Sequence, residues 1–178
     1  MGESLMLQVI PGTALDVAQR EAIIALCNRA YEEDLRPLFE TWRDATHVLG
    51  FYGERLVSHA LWVTRYFQVG DGPLLRTAYV EAVATDPAYR GRGFASALLR
   101  RIADEVRDFD LAALSPSDPA FYARLGWDLW RGPLLIRTAT GWQPSPEDEQ
   151  VMILRLPKTP PLDLMAALSA EWREGELW

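Results

Sequence analysis

The sequence predicts a mixed α/β sheet with helices interspersed, and three observations support this. Short apolar runs of strand length recur along the 178 residues and are broken by Gly, Pro and acidic turn residues. Segments between them carry apolar residues at helical spacing, most clearly after Gly93. There is no repeat and no long low-complexity tract, so the elements belong to one compact architecture rather than an array.

Leu5 to Ile10 reads as a short strand. From Ala14 to Tyr31, Ile23, Leu26, Cys27 and Ala30 fall on one helical stripe, and Thr13 or Asp16 can cap its start. Asp34 to Arg43 reads as a second, irregular helix or lid interrupted at Pro37. Thr46 to Tyr52 and Leu56 to Gln68 are strands joined by a hairpin turn at Gly53-Glu54, and after Asp71-Gly72-Pro73 a third long strand covers Leu75 to Thr85. The helix from Gly93 carries Leu98, Leu99, Ile102, Val106 and Phe109 on one face and charges on the other. Leu111 to Leu114 is a further strand. Asp118 then caps a short helix whose first residue is Pro119 and which Gly126 ends. Trp127 to Trp130, Leu134 to Thr138 and Val151 to Leu156 supply late strands. Pro157 to Pro161 forms a stiff joint before an amphipathic helix over Leu162 to Trp172. The expected organisation is a single domain over residues 1–178, with a core over 1–157 and a tail over 158–178.

Hydrophobic residues make up 49% and charged residues 24% of the chain, enough for one ordinary core. The opening MGESLMLQVIPG has no basic n-region, and no apolar run is long enough to span a bilayer, so a soluble protein is expected, without membrane association. Cys27 is the only cysteine, which excludes an internal disulfide and a cysteine-rich zinc site and suits a cytoplasmic location. His47 and His59 lie in separate strand-like segments without a metal-ligand pattern, and no metal is expected. The formal charge of −7 opposes nucleic-acid binding and favours a small cationic partner.

The stretch YVEAVATDPAYRGRGFASALL, from Tyr79 to Leu99, joins a strand to a helix through a loop of two arginines and two glycines. The loop amides from Gly91 to Phe94 face the positive end of a helix dipole, which makes an anion site. The glycines allow close approach, and Arg90 and Arg92 can bond phosphate oxygens. A Walker loop is excluded because no Gly-Lys-Ser/Thr ending is present, and a dinucleotide fingerprint fails at Ser96. A plain strand-to-helix turn with solvated arginines is the alternative.

Arg90-Gly91-Arg92-Gly93-Phe94-Ala95, with Ala120-Phe121-Tyr122-Ala123-Arg124-Leu125-Gly126-Trp127 downstream, resembles the two signature segments of the GCN5-related N-acetyltransferases. AYVEAVATDPAYRGRG, YARLGWDLWRGPLLIRTATG, PSPEDE and the terminal EWREGELW are further similar to aminoglycoside 2′-N-acetyltransferases. The resemblance implies that the Arg90 to Ala95 loop holds the pyrophosphate of acetyl-CoA and that Val83, Ala84 and Thr85 pair with its pantetheine arm.

Acetyl transfer to a protonated amine needs a base, and the departing thiolate needs an acid. Glu81 matches the family's acidic base and also a substrate contact; strand alternation sets it on one face with Val83 and Thr85. Tyr122 matches the family's acid. The resemblance assigns further substrate contacts to Asp34, Ser115, Asp148 and Glu149 within an acidic triplet, and the terminal carboxylate of Trp178, with Glu40 the nearest candidate for a second acid near α-helical residues 38–42. The implied partner is a cationic aminosugar, and the implied assembly a homodimer. Plainer readings remain for each: a helix-end Asp34, a turn hydroxyl at Ser115, a solvated acidic loop and a frayed Trp178. Cys27 has no activating base among its neighbours in sequence, which favours direct transfer over an acyl-enzyme.

Overall fold

The computed structural model describes residues 4–178, so Met1–Glu3 of the opening segment lie outside the described residues. Two compact units divide the chain: residues 4–63 with Val80–Asp104, and Thr64–Tyr79 with Glu105–Trp178. The two longest strands, β3 (Arg55–Val69) and β4 (Leu74–Thr85), contribute one segment to each unit.

In the first unit the strand order is β1 (Leu5–Pro11), β2 (Thr46–Tyr52), β3, β4. β1 runs antiparallel to β2, and β2 antiparallel to β3, through the expected turn at Gly53-Glu54. A register shift interrupts the second pairing at Gly50/Phe51, a β-bulge that re-aims the side chains beyond it. Helix α1 (Val17–Tyr31) begins with a capping box, in which the Gln19 amide donates to Asp16 and the Asp16 amide to Gln19. Its buried residues Ile23, Ile24 and Cys27 pack with Phe39, Trp42, Leu49 and Leu61 into one apolar cluster.

Helix α2 (Arg36–Thr41) is short and continuous. The interruption expected at Pro37 does not occur, because Pro37 lies in the first turn, where its missing N–H has no intrahelical partner to lose. Helix α3 (Phe94–Glu105) buries Leu98, Leu99 and Ile102 of the expected stripe and Phe94 besides; Val106 and Phe109, also expected on that stripe, are buried but lie past the end of the helix. It lies over β2 at Gly50, where a side chain would come within 3.2 Å of Leu98 Cδ1.

In the second unit the order is β6 (Asp128–Leu129), β9 (Met152–Arg155), β5 (Leu111–Leu114), β4, β3, β10 (Leu168–Glu171), β7 (Leu134–Thr138), β8 (Gly141–Pro144). β4 and β5 are parallel, as are β7 and β10; the β5–β9, β6–β9, β3–β10 and β7–β8 pairs are antiparallel. Helix α4 (Pro119–Ala123) starts as expected, with the Asp118 carboxylate accepting from the Phe121 amide and proline at the first position.

The tail departs from expectation. Residues 162–172 do not form an amphipathic helix: Asp163 makes a turn that bonds the Met165 and Ala166 amides, and β10 follows. Leu168 to Ala170 are fully buried between β3 and β7. Two rows of inter-strand hydrogen bonds outweigh the helix preference of Leu, Met, Ala and Glu, a preference worth only tenths of a kcal/mol per residue, on the order of 0.7 at most.

Candidate active site

The cofactor segment lies wholly in the first unit. Here β4 does not keep a regular pleat. Ala82 has φ 50, the left-handed region that an alanine enters only against strain. The alternation that set Glu81, Val83 and Thr85 on one face therefore does not carry through, and residues 77–82 are all buried. Past the kink, three successive carbonyls of β4 accept from side chains: Ala82 from His59 Nδ1 at 2.9 Å, Val83 from Tyr31 Oη at 3.1 Å and Ala84 from Ser58 Oγ at 2.9 Å. Thr85 Oγ1 lies 2.9 Å from the same serine hydroxyl. Glu81, 9% exposed, immediately precedes this stretch.

The loop has the geometry an anion cradle needs. Gly91 and Gly93 both take φ 76, a conformation that disfavours any side chain. No atom lies within 4 Å of where a Cβ would stand on either, so the space over both is open to a ligand. The first helical bond runs from the Ala97 amide to the Gly93 carbonyl at 3.0 Å, which leaves the amides from Gly93 to Ser96 without intrahelical acceptors. Phe94 is buried and anchors the turn, and Ala95 is half-buried behind it.

The two arginines are held differently. Arg90 Nη2 donates to the Ala30 carbonyl at 2.8 Å, tying the loop to the last turn of α1. The Arg92 guanidinium lies 4.9 Å from the Tyr89 ring centroid and 5.7 Å from that of Tyr52, with Phe94 packed against both tyrosines. Both side chains are exposed and each keeps further N–H donors.

Asp34, also in this unit, is exposed and accepts from Asn28 Nδ2 at 3.2 Å and from the Arg36 amide at 3.1 Å, so it organises the α1–α2 connection. Glu40 pairs with Arg20 at 3.0 Å. The two histidines that seemed separate in sequence meet here. His47 Nδ1 lies 2.9 Å from His59 Nε2, and Cys27 Sγ lies 3.5 Å from His59 Nδ1. Burial pushes His47 down to about 4 and His59 to about 3, and the neighbouring histidine depresses His59 further. Burial also pushes the Cys27 thiol up to about 12, so the cysteine is a poor nucleophile despite its imidazole neighbour.

The second unit holds the remaining candidates. Tyr122 is buried on α4 between the rings of Phe121 and Trp127, whose centroids lie at 5.0 and 6.2 Å. Burial pushes its hydroxyl up to about 12, against a hydrogen bond from Ser117, and Asp118 adds to the rise. The phenol is therefore a proton carrier at neutral pH. Ser115 is exposed just past β5.

Asp148 is exposed, whereas Glu149 is half-buried, and its carboxyl is held above the usual range by burial and then by Asp148 and Glu176. An ammonium placed there would relieve that repulsion.

Trp178 is not frayed. It is 3% exposed, its indole donates to Ser145 Oγ, and it meets Phe67 edge-on at 5.5 Å. Arg65, which sequence reasoning missed, secures this end. Buried to 1%, it donates to the Leu177 carbonyl at 2.6 Å and the Glu171 carbonyl at 2.7 Å, reaches the Glu171 carboxylate at 3.3 Å, and stacks on Phe67 and Tyr79. An arginine in the interior of a long strand, on the same face as Phe67, was the available signal.

Comparison with known proteins agrees with this geometry. A family model described as an acetyltransferase (GNAT) domain matches residues 14–130. An aminoglycoside 2′-N-acetyltransferase from Mycolicibacterium fortuitum is 33% identical over 173 residues, covering 92% of this chain and 87% of that protein. Among solved structures, the Escherichia coli GNAT family N-acetyltransferase YhbS in complex with CoA superposes with a TM-score of 0.68 at 19% identity, over 98% of this chain and 92% of that one. Eis1 from Mycobacterium abscessus gives 0.60 at 21% identity over 70% of this chain, which spans only 31% of that longer protein. A glycine-lined helix N-terminus after a kinked central strand, with a family match across most of the chain, identifies the protein as a member of the GCN5-related N-acetyltransferase family, an acetyltransferase.

Proposed function

We propose that this enzyme transfers the acetyl group of acetyl-CoA to the 2′-amine of an aminoglycoside, and that this confers resistance to the antibiotic. The observation that carries the reading is the open loop with Gly91 and Gly93 at φ 76, set directly after the strand bearing Glu81. Backbone amides there suit a pyrophosphate, and Arg90 and Arg92 supply charge at its margin. The choice of acceptor draws on the 33% identical relative, which matches across 92% of the chain, and on the acidic group around Glu149.

In this reading Glu81 takes a proton from the substrate ammonium, directly or through water, and the neutral amine attacks the thioester carbonyl. The C–S bond breaks, Tyr122 gives its proton to the departing thiolate, and the surplus proton on the attacking nitrogen leaves through water to restore the phenol. Asp34, Ser115, Asp148, Glu149 and the Trp178 carboxylate receive the hydroxyls and ammoniums of the sugar. Transfer is direct, in keeping with the inert environment of Cys27. The protein works as a cytoplasmic homodimer.

Thiol release from acetyl-CoA is the test, measured with kanamycin, gentamicin, kasugamycin, spermidine and a lysine peptide, with the product mapped by NMR. Acetylation at an aminoglycoside 2′-amine is expected. Transfer only to spermidine or the peptide would redirect the reading to another amine, and CoA binding without transfer to any amine would reduce the protein to a binding module. Glu81→Ala is expected to lower kcat/KM by at least about 10²-fold, the usual worth of a general base. Wild-type kcat/KM across neutral pH in that variant would remove the base.

A further inference from the structure

The buried group Cys27–His59–His47 has no part in the chemistry above, yet it ends on the residue after Glu81. His59 and His47 are 0% and 2% exposed. His59 Nδ1 lies 2.9 Å from the Ala82 carbonyl, which can only accept, so Nδ1 carries the proton. His59 Nε2 is then an acceptor, and His47 Nδ1, 2.9 Å away, must donate to it. The tautomer of each ring is fixed by this one chain of hydrogen bonds. Phe39 lies against both rings, at 6.4 and 6.0 Å between centroids, and Cys27 closes the remaining side. Among the described residues, the backbone group this chain engages is the carbonyl of Ala82, a non-glycine residue at φ 50.

We propose that His59, oriented by His47, is a positioning residue: it holds the Ala82 carbonyl turned into the core, keeps the strand kinked there, and so sets the direction of Glu81 on one side and of the Val83 to Thr85 backbone on the other. The inference rests on the reading of Glu81 as the base. A left-handed alanine relaxes toward extended backbone when nothing holds it. An extended residue 82 would restore the pleat and turn Glu81 relative to the cofactor strand.

Four variants test this: His59→Leu, which removes the donor but keeps an apolar filling; His59→Asn, whose side-chain amide restores an N–H near the Nδ1 position; and each combined with Ala82→Gly. His59→Leu is expected to lower kcat on the order of 10²-fold, the usual consequence of a displaced catalytic group, and to raise KM for acetyl-CoA, whose strand turns with Ala82, while KM for the amine changes less than about threefold. His59→Asn should recover most of the loss. In the His59→Leu background Ala82→Gly should restore kcat at least about tenfold, because glycine takes positive φ without a Cβ penalty. A merely structural histidine predicts no rescue by glycine at a neighbouring strand.

Full kcat in folded His59→Leu, or no recovery on adding Ala82→Gly, overturns the proposal. Should His59→Leu not fold, His59→Asn decides: near-wild-type kcat supports the role, and a loss as large as 10²-fold that Ala82→Gly does not relieve overturns it. Crystal structures of these four variants and of His47→Leu give a readout independent of turnover. An extended φ at Ala82 in His59→Leu, or in His47→Leu, supports the role, and an unchanged positive φ in both overturns it. If the wild-type enzyme acetylates no amine, the Glu81 reading fails while the backbone readout still decides on His59.

Discussion

Acidification from pH 7 to pH 5 should destabilise this protein by about 4 kcal/mol through its two histidines alone. The perturbation is simple because the chain holds only two histidines, and both are buried neutral, at about 4 for His47 and about 3 for His59. In the unfolded chain each titrates near 6.5. A depressed folded pKa leaves stability intact above 6.5; stability is lost as pH falls toward 4 and 3, because only the unfolded state takes up protons in that window. Each histidine contributes RT times the logarithm of the change in unfolded-state protonation, about 1.9 kcal/mol between pH 7 and 5. Two together remove a large part of the ~5–15 kcal/mol typical of a folded domain. Glu149 works in the opposite sense, since its raised carboxyl takes up a proton in the native state first, but it is partly exposed and its effect is screened. Urea unfolding followed by tryptophan fluorescence at pH 7, 6 and 5 measures the slope. A stability unchanged within about 1 kcal/mol across that range would refute the reasoning, because two buried neutral imidazoles cannot fail to produce it.

Three other outcomes are expected. Tyr122→Phe should keep CoA affinity and slow the chemical step by about 10²-fold or more; pre-steady-state thiol release separates the two, and an unchanged chemical step removes the acid. Gly93→Ala should cost about 1 kcal/mol in backbone strain and put a methyl into the open space over the loop, weakening acetyl-CoA binding at least about tenfold by calorimetry while the fold persists. Arg65→Met should lower stability by roughly 3–5 kcal/mol, because the Glu171 carboxylate and two carbonyls lose a buried partner; a thermal midpoint within 2 °C of wild type would contradict it.

The elements with a strong local signal were readable in advance. The stripe from Leu98 to Ile102, the Asp118-Pro119 start of α4 and the Gly53-Glu54 turn are each decided by neighbours in sequence, and so was the glycine loop between β4 and α3. The His47–His59 contact was not, and the bulge at Gly50/Phe51 explains why. Counting back from the Tyr52–Arg55 pair in an unbroken hairpin sets His47 opposite Ala60 and turns His59 to the other face. The observed shift sets His47 opposite Leu61 and His59 opposite Leu49, diagonal neighbours on one face. Ala82 gave no sign of its left-handed backbone because alanine has no preference for it; the cause is long-range, in His59. The tail misled for a related reason: residues 162–172 read as a helix in isolation, and only the slot between β3 and β7 makes a strand of residues 168–171.

That slot has a consequence for the order in which the protein can be made. Among the described residues β10 alone pairs with both β3 and β7, so the β7–β8 hairpin gains this neighbour once residue 171 has left the ribosome. Until then β3 and β7 each offer an unpaired edge, at which the nascent chain is exposed to mispairing. Closure comes when residues 168–171 thread between them and Trp178 enters its seat beside Phe67.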